Sequence, residues 1–299
     1  MSVTDTAPLS VPAADQAPVR RHWFAALMRD PAAALAITMF LLIALAAVLA
    51  PWLAPQDPTE STRNMMLPPV WAERGSAEFL LGTDGQGRDI LSRLLHGTRL
   101  TLLIGLVAVV IGGGIGSLLG LLAAFYSRLD PWIMRSADVM LSFPAILLGL
   151  ALVAVMGAGI MPVILALAIA TVPDSARIAR SIAVGVMKQE FVEAGRAIGL
   201  PDRTLFTRYL LRNCISSIMI FMSLRFGQVI LLGSALSFLG LGARPPASEL
   251  GMMASQGRDF MLFAPHIAII PSVAIFVIVL TANVAGDALR DVLDPRTRT

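Results

Sequence analysis

The chain has 299 residues, 56% of them hydrophobic and 14% charged, where an ordinary soluble domain carries about 25% charged residues. That composition excludes a pair of soluble domains and points to one polytopic membrane domain. The net charge of +3 is small, so the placement of charge matters more than its amount, and the single cysteine, Cys214, excludes an internal disulfide.

Residues 1–30 open with Pro, Ala, Asp and Thr and have little to bury, which predicts a partly disordered tail. Arg20 and Arg21 then precede an apolar run of more than 20 residues. A signal peptide has an apolar region of about 7–15 residues, so this run reads as an uncleaved first helix. A spanning helix needs roughly 20 apolar residues. Six stretches meet or approach that length: 32–54, 100–126, 136–157, 159–175, 214–240 and 265–286. The fourth is the shortest, with Pro162 and Pro173 bounding its apolar core, and it reads as a tilted or irregular helix inside the protein.

Basic residues are uneven between alternate loops. The N-terminus, 127–135, 176–213 and the C-terminal tail hold 15 of them, against 7 in 55–99 and 241–264, with Arg225 inside the fifth stretch. The positive-inside rule then places the first set, and both termini, in the cytoplasm.

Between the fourth and fifth stretches lies EFVEAGRAIGLPDRTLFTRYLLRN, Glu190 to Asn213. Lys188 to Ile198 is helix-compatible. Gly199 is placed to end that helix in a left-handed conformation, and Pro201 prevents its continuation. Asp202 is placed to cap a second helix that runs through Leu205, Phe206, Tyr209 and Leu210. Ala194, Gly195 and Ala197 leave part of the first helix without bulk, so another surface can approach its backbone. Two readings fit: an interfacial hairpin whose arginines meet lipid head groups, or a rigid element docked into a soluble partner.

The membrane stretches offer further candidates. Gly112, Gly116 and Gly120 form a small-residue face suited to helix packing, with a lining role as the alternative. Ser216, Ser223, Gly227 and Ser234 lie near one helical face and suit either an interface or a path. Arg225 is costly inside a span and either snorkels to the surface or faces protein or water. With Gln228 on the same face, and with Ser234, it is a candidate contact along a translocation path. Outside the spans, Arg88, Asp89 and Arg93 are spaced for a surface ion pair, Asp89 with Arg93, at a helix entrance. Asp287, Arg290, Asp291 and Asp294 follow the last stretch.

Nothing in the chain suggests catalysis. A P-loop needs a lysine after its glycines, and the only lysine, Lys188, lies between Met187 and Gln189. The Gly-rich GTDGQG at 82–87 reads as a turn around Asp84 and Gly85. His22, His96, His266 and Cys214 have no metal-ligand spacing.

The 190–213 stretch resembles the EAA loop of ABC-importer permeases. The family pattern is Glu-Ala-Ala, three residues, Gly, nine residues, then Ile-x-Leu-Pro. Here it stands as Glu193-Ala194-Gly195, Gly199 and Tyr209-Leu210-Leu211-Arg212, so Gly195, Tyr209 and Arg212 depart from it. LGTDGQGRDILSRLLHGTR (81–99), ALSFLGLGARPP (235–246), GRDF (257–260) and GDALRDVLDPR (286–296) are similar, in the same order, to the C-type permease of dipeptide, oligopeptide and nickel importers. The resemblance implies an all-α type I ABC importer permease with about six transmembrane helices, in the bacterial inner membrane. It divides the chain into a cytoplasmic tail (1–30), a first helix with an external loop (31–99), a core with its coupling loop at 186–213 (100–287) and a second tail (288–299).

By the same resemblance Glu190, Glu193, Ala194, Gly195, Ala197, Gly199 and Asp202 contact a cytoplasmic ATPase. Asp84, Arg88, Asp89 and Arg93 support an external gate. The implied partners are a second permease, two P-loop ATPase subunits that bind the ATP and Mg, an extracytoplasmic substrate-binding protein and membrane lipid, with no nucleic acid and no cofactor in this chain. The implied cargo is a dipeptide or oligopeptide, with a nickel chelate or glutathione as alternatives. The rival reading is a self-sufficient secondary transporter or channel. Against it, the stretches lack the interior carboxylates of proton coupling, Asp138 and Asp174 lying near their ends.

Overall fold

Asp30 and Pro31 start the first helix. The Asp30 carboxylate accepts a hydrogen bond from the Ala32 N–H at 2.9 Å, and Pro31 fills a position whose N–H would have no intrahelical partner. The computed structural model describes residues 30–293. The expectations for residues 1–29, His22, Arg20 and Arg21 among them, and for Asp294, Arg296 and Arg298 fall outside the described residues. Helix α1 runs Pro31–Val48, followed by α2 Ile90–Phe125, α3 Asp130–Leu141, α4 Ala145–Met156 and α5 Ile160–Met187. Then come α6 Glu190–Ala197, α7 Arg212–Phe238, α8 Leu250–Gly257 and α9 His266–Leu293. The described residues contain no β-strand beyond an isolated bridge between Thr83 and Asp89.

Five of these helices are long and apolar enough to cross a membrane, and a sixth crossing is made if α3 and α4, which pass the same test only when taken together, form one bent span. Their outer surfaces carry exposed Leu35, Leu41 and Leu42 on α1, Leu103 and Leu106 on α2, and Val273 and Phe276 on α9. Water would oppose so large an apolar surface; lipid tails, as apolar as leucine, do not. Chain order puts the start of α1, residues 126–129 and the 188–211 hairpin at one end of the bundle, the hairpin end. Residues 49–89, 157–159 and 239–265 lie at the other, the loop end.

Three expected boundaries move. The third stretch, 136–157, is not one straight helix: α3 and α4 meet at 86°. Pro144 at the start of α4 disfavours a helical Phe143, which breaks the run. The fourth stretch does not stop at 175. Pro162 lies in the first turn of α5, where its missing N–H costs nothing, and Pro173 removes only one bond inside a helix that continues to Met187. Helix α2 begins ten residues early, at Ile90, because the Asp89 carboxylate caps it, accepting from the Ser92 N–H at 2.7 Å. At 36 residues it is about 54 Å long and outreaches the roughly 30 Å hydrocarbon layer.

Close packing holds the bundle together, since lipid supplies no hydrophobic drive between helices. A Cβ on Gly112, Gly116 or Gly120 would lie 2.2 to 2.3 Å from the carbonyl oxygens of Ala168, Val172 and Ala176. The glycine face of α2 is therefore a contact with the α5 backbone and not a pathway lining. Around it Ile104, Ala108, Val163, Leu167, Val229 and Leu236 form the central core. Leu121, Ala183, Leu210 and Cys214 form a second core toward the hairpin end.

Candidate functional site

The hairpin is closed by backbone chemistry. Gly199 has φ +75°, the Leu200 N–H donates to the Gly195 carbonyl at 3.1 Å, and the Gly199 N–H donates to Arg196 at 3.0 Å. This is the paired Schellman termination, and open space around Gly199 shows that the glycine serves its dihedral angle rather than a close contact. Two expectations are corrected here. Pro201, not Asp202, holds the N-cap position, and Asp202 makes no capping bond as the first helical residue; its charge still faces the positive end of the helix dipole. Gly195 does not lie on the outer face. It is buried against Leu205 and Leu200, where its small size lets the two arms of the hairpin close.

The arms are anchored firmly. Val192, Leu205 and Leu210 are almost fully buried, Phe191 stacks on Tyr209 at 6.1 Å and Phe206 meets Phe125 edge-on at 5.5 Å. Residues Leu205–Leu211 form a π-helical segment leading into α7, a geometry that recurs at functional sites. The outer side leaves Glu190, Glu193, Ala194, Arg196 and Ala197 exposed, with Ile198 76% exposed at the turn. The result is a rigid projection with mixed charge, small residues and an apolar tip.

At the loop end the expected charges meet in a different way. Asp89 and Arg93 do not form a surface pair. Asp89 is spent on capping α2, accepting also from the Ser92 hydroxyl at 2.6 Å, and Arg93 turns to Asp84 instead. Arg88 Nε donates to the same Asp84 oxygen at 2.7 Å, and all four side chains are buried. Tight turns at Gly82 and Gly87, both with φ near +80°, bring Asp84 back onto α2. Burial works against the Asp84 charge, but the Arg88 N–H and the Arg93 and Arg88 guanidinium groups outweigh it and hold the carboxyl below its ordinary 3.8. Arg93 also reaches Ser248 at 3.4 Å and Gln256 at 3.2 Å, tying the 55–89 segment to α8.

Glu249 and Thr101 make a contact that no motif or spacing in the sequence marks. Glu249 is 1% exposed and accepts from the Gly251 and Met252 N–H groups at 3.0 and 2.9 Å and from the Thr101 hydroxyl at 3.0 Å. It caps α8 and fastens it to α2. An acidic residue directly before the apolar run LGMMA was the available signal for the cap.

Midway along the bundle Arg225 does not snorkel. Its guanidinium pairs with Asp174 of α5 and donates to Gln228 Oε1 at 2.5 Å. Asp174 therefore lies inside a helix that continues to Met187, and it is a carboxylate with a cationic partner on a neighbouring long helix. Ser234 is elsewhere, buried beside Thr101 and Glu249. Of the serine stripe, Ser216 is exposed, while Gly227 packs on Asn283, so the stripe is not a single continuous surface. Among the described residues no three His, Cys, Asp or Glu side chains gather as a metal site.

Residues 116–299 match the binding-protein-dependent transport system inner membrane component family, and residues 19–69 match the N-terminal TM domain of oligopeptide transport permease C. The chain is 41% identical to the di/tripeptide transport system permease protein of Pseudomonas aeruginosa, over 100% of this chain and 99% of that protein. It is 42% identical to the glutathione transport system permease protein of Pectobacterium atrosepticum, over 94% and 92% of the two chains. A methionine ABC transporter in an inward-facing conformation shares its fold, with a TM-score of 0.58 at 19% identity over 69% of this chain and 98% of that one. The chain belongs to the binding-protein-dependent transport system inner membrane components, and it is a multi-pass permease subunit of an ABC importer, a transport component and not an enzyme.

Proposed function

We propose that this subunit forms half of a translocation pathway for small peptides and is driven by a cytoplasmic ATPase subunit through the 190–213 hairpin. The observation that carries the coupling is the hairpin itself. Its arms are locked by the Schellman turn and by buried Val192, Leu205 and Leu210, so a force on its outer face passes directly into α7. The exposed small residues Ala194 and Ala197 and the apolar Ile198 on that face let a protein groove approach the helix closely. On this reading Glu190, Glu193, Ala194, Ala197 and Ile198 touch the ATPase, Gly195 and Gly199 shape the hairpin, and both termini are cytoplasmic.

The complete importer pairs this chain with a second permease, two ATPase subunits that bind ATP and Mg, and an external binding protein docked at the loop end. There the Asp84–Arg88–Arg93 cluster braces the gate. The cargo assignment rests on the relatives, whose names give di/tripeptides and glutathione, itself a tripeptide. Closure of the ATPases shifts the permease pair between two states by differential binding.

The test is ATP-driven uptake by the reconstituted importer. Glu193→Lys and Gly199→Pro should each abolish uptake while the chain still inserts and remains stable. Proline fixes φ near −65° and cannot take the +75° of Gly199. Normal uptake by a stable Gly199→Pro protein overturns the lever.

A further inference from the structure

Three ion pairs join the helices on one side of the bundle: Asp130–Arg180 and Asp138–Arg177 between α3 and α5, and Asp174–Arg225 between α5 and α7. None is sealed, their side-chain exposures running from 25% to 58%. Charges left open within spanning helices turn to protein or water and not to lipid tails. Asp174, Arg177 and Arg180 also step along α5 by three residues, covering about 9 Å toward the hairpin end. This side of the molecule is a polar track.

Asp174–Arg225 sits at the head of that track. Asp174 lies at the centre of Ile160–Met187 and Arg225 at the centre of Arg212–Phe238, so each is about 20 Å from either end of its helix. Arg225 rests over the Phe221 ring at 5.5 Å, and its Nε is buried without a partner. Beside the pair opens a recess of about 130 Å³ lined by Ala145, Thr171, Asp174, Arg225 and Gln228. A self-contained small-molecule site has at least about 300 Å³. The recess holds one end of a small peptide, not the whole.

We propose that Asp174 and Arg225 form an exchangeable ionic waist for zwitterionic peptides. The free carboxylate of the cargo takes the place of Asp174 on Arg225 within the recess, while the α-ammonium, outside the recess, pairs with the open side of Asp174. This rests on the peptide reading above and deepens it. A peptide with two charged ends loses water at mid-membrane, and an isolated buried charge costs several kcal/mol. Exchanging one carboxylate for another on the same guanidinium leaves no charge unpaired during passage. The open faces of Asp174 and Arg225 allow the exchange, and a guanidinium accepts a carboxylate through more than one N–H.

The experiment is saturating uptake of radiolabelled Ala-Ala by the complete importer in proteoliposomes, with the wild type, Asp174→Asn, Arg225→Gln and the double variant. The waist predicts that all three variants assemble and that their maximal uptake falls about tenfold or more, as for a lost charge-assisted bond. The peptide concentration at half-maximal rate stays constant, because the binding protein captures the cargo. A double variant with wild-type uptake overturns the proposal, because the pair is then a structural brace. Variants that lose the second permease on purification also overturn it, making the pair a subunit contact. Failure of the wild type itself to move Ala-Ala, with its ATPase active, is a separate result that removes the peptide reading and the waist with it.

Discussion

The Asp84 cluster and the Asp174–Arg225 pair use the same two side-chain types to opposite ends. At the loop end Asp84 takes two guanidinium groups and the Arg88 and Gln86 N–H groups, and its side chain is 7% exposed. Mid-bundle, Asp174 and Arg225 remain 35% and 25% exposed, and one donor is left over. A saturated buried pair can only hold elements together, because breaking it strands a charge. An under-filled pair at the edge of a recess can change partners at little cost. Satisfaction, rather than the presence of charge, separates a brace from a site.

Removing one member of each pair sharpens that contrast. Arg93→Met leaves Asp84 buried with Arg88 alone, and should destabilise the protein by about 3–5 kcal/mol, read as a large drop in Tm in detergent. The Asp174→Asn, Arg225→Gln double variant should lose less than about 1 kcal/mol, since partly exposed pairs contribute little. Equal losses at the two places would break the comparison. Gly116→Leu falls next, because its Cβ would lie 2.3 Å from the Val172 oxygen and 2.7 Å from Ser175 Cβ; overpacking of this kind costs about 1–3 kcal/mol. Glu249→Gln keeps the shape but removes the charge that two N–H groups and Thr101 share, a loss of about 1 kcal/mol.

Acid probes the brace alone. Because the folded Asp84 carboxyl titrates below its ordinary 3.8, its contribution is complete above that pH and disappears as pH falls through the folded value. Thermal stability should decline across that acid window in the wild type, and the decline should be shallower in Asp84→Asn, a protein already weakened at neutral pH. The smallest effect on stability belongs to Ile198→Ser, within about 0.5 kcal/mol as for other surface positions, although it should weaken co-purification of the ATPase subunits.

Much of this was legible in the sequence, for reasons that are local. Apolar runs place spanning helices because the bilayer has a fixed thickness, and Gly199 followed by Pro201 marks a helix end because only a few residues tolerate its dihedral angles. The hairpin was readable down to its turn. Asp84 with Arg93 was not, since the pairing depends on the 82–87 turn folding a loop residue back onto a helix, while Asp89 and Arg93 sat at the more obvious spacing. Asp174 with Arg225 was hidden by the continuation of α5 past Pro173. That continuation places at mid-helix a residue that composition alone puts at the end of an apolar stretch. Gly195 misled because small size on a helix serves an inner contact as well as an outer one.

The most direct test of the central claim places a reporter on each end of the bundle. In a Cys214→Ser background, Ile198→Cys at the hairpin tip and Trp71→Cys at the loop end, where Trp71 is 70% exposed, would each be treated with a bifunctional thiol crosslinker in the assembled importer. A permease–ATPase product is expected from Ile198→Cys, with a yield that changes with ATP, and none from Trp71→Cys. An ATPase product from Trp71→Cys, with none from Ile198→Cys, would contradict it.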